Sequence, residues 1–193
     1  PDRASRETLV ALADAVDMPG VDSDPSEFDL LSEGHLIAQR PERAAALLGR
    51  GAERAAKLGD PAKAAAFRLR AGATLFRIPK YKEAETFFKA VVDDPKAGAA
   101  RPKASLLVVL GRDKGSTSRP PIFKREAYVE ALRSHIAGFP DDPTTAEARW
   151  LLGRELRRAG KVDEANKLWA AIPPSSPRWF DVRTLIADEL LAT

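Results

Sequence analysis

The sequence predicts an all-α fold in which about four helical hairpins stack as a right-handed α–α superhelix, with a flanking helix at each end. Asp-Pro pairs recur along the 193-residue chain at intervals close to the length of one helical hairpin. Between these pairs, apolar residues return every three or four positions, which is the spacing of one helix face. No segment shows the sustained alternation of apolar and polar residues that is typical of a half-buried β-strand.

The Asp-Pro pairs mark the predicted helix starts. They begin at Asp24, Asp60, Asp94 and Asp142, with Ser176-Pro177 as a relaxed fifth copy, in steps of 36, 34, 48 and 34 residues. Asp can accept hydrogen bonds from the free N–H groups of a first helical turn, and Pro at the first helical position loses no hydrogen bond. Each pair is therefore predicted to open a helix, although a turn over 96–100 should follow the third pair first.

Each step contains two apolar blocks separated by a short breaker such as Ile78-Pro79-Lys80 or Gly160-Lys161, which predicts a hairpin of two helices. The predicted helices span residues 5–17, 26–38, 42–58, 62–77, 80–92, 100–112, 122–138, 144–159, 162–172 and 178–191. We expect a single repeat domain over residues 1–193. Its parts are a capping helix in 1–24, repeats 25–59, 60–94, 95–142 and 143–176, and a second capping helix in 177–193. The 48-residue step contains a stretch rich in turn formers, which predicts an inserted loop at 113–121.

Composition and charge exclude several classes of function. Hydrophobic residues make up 44% of the chain and cysteine is absent, so the chain can bury a core but has no disulfide, thiolate metal site or cysteine nucleophile. No apolar run approaches the roughly 20 residues that cross a bilayer, so we expect no direct membrane insertion in this segment. The 31 basic and 28 acidic residues form no single basic stripe, and a nucleic-acid partner is not expected.

Candidate catalytic and metal-binding residues are few. His35 and His135 have no Asp, Glu or His neighbour at the spacing of metal ligands and no nucleophile beside them, so we expect neither a metal site nor catalysis there. The acidic pairs Asp93-Asp94 and Asp141-Asp142 lie at repeat junctions, where helix capping explains them. The sequence has no phosphate-binding or dinucleotide-binding glycine motif. We therefore expect a protein that is not an enzyme and that needs no cofactor.

Side chains in two of the repeats resemble the tetratricopeptide repeat (TPR) family. The unit from Ala146 to about Trp179 matches the family pattern in type and spacing at Leu152, Gly153, Leu156, Ala165, Trp169 and Pro177, with Arg149 in place of the usual first Trp. The unit from Ala65 repeats the scheme at Ala71, Gly72, Leu75, Ala84 and Phe88. The run 139–153 is also similar to repeats of bacterial envelope proteins of the TPR class, including cell-division coordinators and outer-membrane assembly lipoproteins.

The resemblance implies a TPR-like solenoid whose concave face binds a protein or peptide. It also implies that the first helix of each hairpin lines this face. The residues that it places there are Leu69, Ala73, Phe76, Arg77, Trp150, Arg154, Arg157 and Arg158. Because arginine pairs well with carboxylates, the partner is expected to carry acidic groups.

Other interpretations stay open. The arginines could form a solvated helix face, and Trp150 could serve packing rather than recognition. The chain could also be the helical scaffold of a larger enzyme, or a structural module that forms homo-oligomers. The sequence leaves its location open between the bacterial periplasm or cell envelope and the cytoplasm, since a targeting signal would lie outside this segment.

Overall fold

The computed structural model describes residues 2–16, 18–20 and 22–191, with side chains described through Ala187. Within these residues all regular secondary structure is helical and no β-strand is present, which confirms the predicted all-α fold class. The α-helices are α1 (Arg3–Ala15), α2 (Pro25–Ile37), α3 (Pro41–Lys57), α4 (Pro61–Arg77), α5 (Tyr81–Val92), α6 (Ala100–Thr117), α7 (Arg125–Gly138), α8 (Thr144–Arg158), α9 (Val162–Ala170) and α10 (Trp179–Leu191). A short 3-10 helix, Pro95–Ala97, lies between α5 and α6.

The helices pack as two compact units, Pro1–Gly115 and Ser116–Thr193, and the boundary falls near the end of α6. In the first unit, α1 packs on α2, α2 on α3, α3 on α4, and α4 on α5. In the second unit, α7 packs on α8, α8 on α9, and α9 on α10. Within α1 to α5 and within α7 to α10, each helix therefore packs on its sequence neighbour, as a series of hairpins requires. A single repeat domain over residues 1–193 stays a prediction.

The Asp-Pro pairs start helices through hydrogen bonds of the Asp side chain. Asp24 accepts from the Ser26 amide at 2.8 Å, while the Glu27 side chain accepts from the Asp24 amide at 3.2 Å, which completes a capping box. Asp60 accepts from the Lys63 amide at 2.9 Å at the start of α4. Asp94 opens the 3-10 helix, so a short turn precedes α6, as the sequence predicts.

The predicted inserted loop at 113–121 is wrong in its position. Helix α6 continues to Thr117, and the non-helical stretch covers residues 118–124. Gly115, which was interpreted as a turn former, is buried, and so is Gly111 four positions earlier on the same helix face. Arg112 ties the same part of α6 to α5 through an ion pair with Glu85 at 2.8 Å. Close packing and this ion pair therefore keep the chain helical beyond the predicted end.

Small residues let neighbouring helices of the first unit approach closely. Gly72 of α4 faces the ring of Phe88 on α5, and a Cβ atom at Gly72 would lie 2.5 Å from that ring. Gly34 of α2 lies against α1, where a Cβ atom would be 2.3 Å from the backbone oxygen of Leu9. Since contacts this short do not occur, both positions require glycine at the present helix spacing.

The second unit repeats this packing around Trp169, which is 1% exposed. A Cβ atom at Gly153 of α8 would lie 2.0 Å from Trp169 Nε1, so the indole of α9 fills the space that glycine leaves. Ile172 and Val182 are buried in the same cluster, which joins α9 to α10. A small residue on the first helix therefore faces a large one on the second at 153 and 169 and again at 72 and 88.

Candidate functional site

The predicted partner-binding residues form two groups in different compact units. The first group lies on α4 and consists of Leu69, Ala73, Phe76 and Arg77. The second group lies on α8 and consists of Trp150, Arg154, Arg157 and Arg158. Each group is described within its own unit.

The α4 group divides between packing and exposure. Leu69 is half-buried and packs against the cluster that contains Ala65 and Val91. Phe76 meets the ring of Tyr81 edge to face, with the ring centroids 5.3 Å apart. Ala73 and Arg77 are exposed. Of this group, the structure therefore leaves mainly Ala73 and Arg77 accessible to a partner.

Trp150 contributes to the core of the second unit. Its ring stacks on Trp169 with centroids 5.3 Å apart and an interplanar angle of 29°. The Trp169 indole N–H donates to the Trp150 carbonyl oxygen at 3.2 Å, which ties α9 to α8. Leu185 and Ile186 of α10 pack against the same cluster. These contacts favour a packing role for Trp150, with only part of its surface left for recognition.

Arginine side chains surround the two stacked indoles. The guanidinium carbon of Arg154 lies 5.9 Å from the Trp150 ring centroid, and that of Arg178 lies 5.5 Å from it. The guanidinium carbon of Arg157 lies 5.5 Å from the Trp169 ring centroid. A cation over the face of an indole ring is attracted by its negative quadrupole. The tryptophans therefore position Arg154 and Arg157 along α8.

Arg178 was not predicted as a member of this group. It lies just before α10 and makes a two-pronged ion pair with Glu147 of α8, at 2.8 and 3.0 Å. Its third contact is with Asp181 at 3.4 Å. Because 31 residues separate Arg178 from Glu147, no local pattern in the sequence indicates the pair. These two carboxylates neutralise Arg178, so it adds no free charge to the surface.

Glu155 joins two helices of the second unit. Its carboxylate accepts from Arg125 of α7 at 2.9 and 2.8 Å and from Arg158 of α8 at 2.6 Å. The Glu155 side chain is only 12% exposed. The hydrogen bonds from Arg125 lower the pKa of Glu155, and Arg158 adds to the same effect. The predicted binding residue Arg158 is therefore partly neutralised within the protein.

Three of the predicted binding arginines lie on one turn of α8. Arg154 is exposed and makes no ion pair with any carboxylate among the residues that the structure describes. Arg157 and Arg158 follow it at the third and fourth positions, and so share its side of the helix. Glu155 is the acidic residue within this turn, and its carboxylate is already bonded to two arginines. We call Arg154, Arg157 and Arg158 the α8 arginine face.

A groove between α7 and α8 borders this face. Its volume is about 500 Å³, and it is lined by Arg125, Glu126, Val129, Glu130, Arg133, Glu155, Arg158 and Ala159. Three arginines and three glutamates balance each other around it. Arg154 and Arg157 do not line the groove. The charges that line the groove are therefore balanced, and Arg154 and Arg157 lie outside it.

Metal binding finds no support in the described part of the chain. No group of three or more His, Asp or Glu residues there could hold an ion. Both histidines are buried, at 1% exposure for His35 and 0% for His135. Over the same residues, none of the helices combines the length and apolar character that crossing a bilayer demands.

Replacing Glu155 with Gln is expected to lower the free energy of unfolding by about 2 kcal/mol at neutral pH, because Arg125 and Arg158 lose a shared, largely buried carboxylate. Since the pKa of Glu155 is lowered in the folded protein, its stabilisation is complete above the ordinary carboxyl value of 4.5. This stabilisation is lost as the pH falls through the lower pKa that Glu155 has in the folded protein. Urea unfolding of both proteins from neutral to acidic pH measures the effect.

The exposed Glu130 provides the matched control for this substitution. Replacing Glu130 with Gln should change the free energy of unfolding by less than about 0.5 kcal/mol. Equal effects of the two substitutions at neutral pH would contradict the role assigned to Glu155.

Comparison with known proteins adds no family assignment. No protein-family model matches the chain, and a search of curated protein sequences finds no significant match.

Proposed function

We propose that this chain is a helical-repeat module of the TPR type that binds a protein or peptide partner and performs no catalysis. Two hairpins support the repeat class, since Gly72 faces Phe88 in one and Gly153 faces Trp169 in the other, with the same spacing in sequence. In this proposal the hairpins stack as a right-handed solenoid, and the first helix of each hairpin faces the partner.

The observation that carries the binding proposal is the charge of the α8 arginine face. Its three arginines share one turn with Glu155, whose carboxylate is engaged by Arg125 and Arg158. Arg154 has no carboxylate partner among the described residues, and the Trp150 ring holds its guanidinium close to the helix. A positioned guanidinium loses less conformational entropy on binding a carboxylate than a free side chain does. We therefore propose an acidic segment as the partner.

The test is selection of peptides from a random library on the immobilised protein, followed by titration of a selected peptide with fluorescence anisotropy. The selected peptides should be enriched in Asp and Glu. Replacing Arg154 and Arg157 together with Glu should weaken binding by about tenfold or more, because two charge-assisted contacts become repulsive. Raising the salt concentration should weaken the wild-type interaction as well.

The control is a double charge reversal elsewhere in the chain. Arg43 and Arg50 are exposed on α3, and replacing both with Glu changes the net charge by the same amount. This variant should keep nearly wild-type affinity for the selected peptide. Peptides without acidic enrichment, or equal losses in the two variants, would place the binding surface outside α8.

A further inference from the structure

His135 is a fully buried histidine at the corner where α7 turns into α8. It lies near the end of α7, and its ring is 5.6 Å from that of Phe139, which follows the helix. The Phe139 carbonyl oxygen accepts from the amide of Asp142 at 3.2 Å and from the Thr145 hydroxyl. We call residues 135–146 the α7–α8 corner. The histidine ring therefore contacts residues whose hydrogen bonds stabilise this corner.

The hydrogen bonds fix which ring nitrogen of His135 carries the proton. The Thr144 hydroxyl donates to Asp142 Oδ1 at 2.5 Å, so its oxygen is free to accept from His135 Nε2, which lies 3.1 Å away. The neutral ring is therefore protonated on Nε2 and bare on Nδ1. Nδ1 is buried and has no hydrogen-bond partner in the described part of the structure.

Protonation of Nδ1 would create a buried N–H group without an acceptor. The Thr144 hydroxyl cannot serve, because it is bonded to Nε2 and to Asp142. A buried cation with an unsatisfied donor is costly, and water supplies the missing acceptor once the corner opens. We propose that His135 is a proton-operated latch, which holds the α7–α8 corner closed when neutral and releases it when protonated.

The charged surroundings set the direction of the response. Burial of the ring lowers the pKa of His135, while the Asp142 carboxylate and the Thr144 hydrogen bond offset part of this effect. Asp142 is the charged group that acts on the ring, from the loop, and Thr144 contacts it from the first turn of α8. Because the pKa of His135 is lowered in the folded protein, the unfolded chain binds the proton more readily than the closed corner does. The corner is therefore fully closed above the ordinary histidine pKa of 6.5. Closure weakens as the pH falls from there towards the lower pKa of His135 in the folded protein.

The consequence concerns the start of α8. The Thr144 amide donates to Asp142 Oδ1 at 2.9 Å, and the Thr145 amide donates to the Asp142 carbonyl oxygen at 2.9 Å. Both bonds belong to the corner that the His135 ring supports. Their exchange protection should therefore follow the protonation state of His135, whereas the middle of α7 and α8 should remain protected.

The experiment is NMR on the full chain between about pH 7.5 and pH 5.5, a range above the ordinary titration of carboxyl groups. The His135 ring resonances should titrate below the ordinary histidine value. Over the same range, the protection of the Thr144 and Thr145 amides from hydrogen exchange, corrected for the intrinsic exchange rate, should fall. The fall should be up to tenfold for each pKa unit by which His135 in the folded protein lies below the ordinary histidine pKa. Titration of His135 at or above the ordinary value, or unchanged protection of both amides, would overturn the proposal.

Replacing His135 with Gln supplies the matched variant. Gln can still donate to Thr144 Oγ but cannot take up a proton. The pH dependence of the exchange protection of the Thr144 and Thr145 amides should therefore disappear, although the variant still contains His35. If the variant keeps the wild-type pH dependence of these amides, the latch is not His135. The ring titration of the wild-type protein tests the proposal independently, even if the variant does not fold.

Discussion

Replacing Gly153 with Ala is expected to lower the free energy of unfolding by about 3 kcal/mol. The added methyl carbon would lie 2.0 Å from Trp169 Nε1 and 2.5 Å from Cε2. The Trp169 ring is stacked against Trp150 and its N–H is bonded to the Trp150 carbonyl, so it cannot move without breaking these contacts. Overpacking of a rigid aromatic contact destabilises a core by this order of magnitude. Thermal and urea unfolding followed by circular dichroism measure the loss.

Two further variants make this test specific. Gly138 is also helical, and a Cβ atom there would meet no neighbouring atom within 4 Å. Replacing Gly138 with Ala should therefore be close to neutral. Replacing Trp169 with Phe in the Gly153→Ala background should recover part of the loss, because the phenyl ring is smaller and lacks the Nε1 atom that the new methyl group would meet at 2.0 Å. A stable Gly153→Ala variant would contradict the close approach of α8 and α9.

Replacing Gly34 with Ala is expected to separate α1 from the rest of the first unit. The new Cβ atom would lie 2.3 Å from the Leu9 backbone oxygen and 2.8 Å from the Ala13 Cβ atom. A backbone atom cannot rotate away as a side chain can, so the whole of α1 must shift. We expect a loss of about 2 to 3 kcal/mol and faster tryptic cleavage at Arg3 and Arg6.

The control for this variant is replacement of the exposed Glu33, which precedes Gly34 on α2, with Ala. It changes the same helix without filling the contact with α1, and it should leave both stability and cleavage nearly unchanged. Adding Ala13→Gly removes one of the two close contacts and should restore the stability of the Gly34→Ala protein only partly, since the Leu9 backbone oxygen still contacts the new methyl group. If α1 stays protected in the Gly34→Ala variant, the two helices are not in close contact.

The parts of the fold that could be predicted depend on local chemistry. Asp24 and Asp60 cap helices through bonds to amides two or three residues away, so their role is visible in the sequence. Gly72, Phe88, Gly153 and Trp169 could be singled out because they match the TPR pattern at equal spacing within one hairpin each. The end of α6 was missed, because glycine favours a turn in isolation, whereas Gly115 is buried on one face of α6 and favours close packing there.

The candidate site was less predictable, because its electrostatics depend on contacts between distant residues. The three arginines of the α8 face are visible as a group in the sequence. Neutralisation of Arg158 depends on Glu155, which in turn binds Arg125 from a different helix. The role of Trp150 depends on its stacking on Trp169, 19 residues later in the chain. A local pattern can therefore indicate which residues share a helix face, but it cannot indicate which of them already have partners.

The attachment of α10 has a consequence for any shortened form of the chain. Arg178 anchors the beginning of α10 to Glu147, and Val182 closes the cluster that contains Trp169 and Ile172. A protein cut before Arg178 would expose the apolar surface of Trp169 and Ile172 to water and leave the Glu147 carboxylate without its guanidinium. Such a fragment would have an exposed hydrophobic patch at its C-terminal end and is expected to aggregate. The last helix thus shields the apolar cluster of the second unit from water.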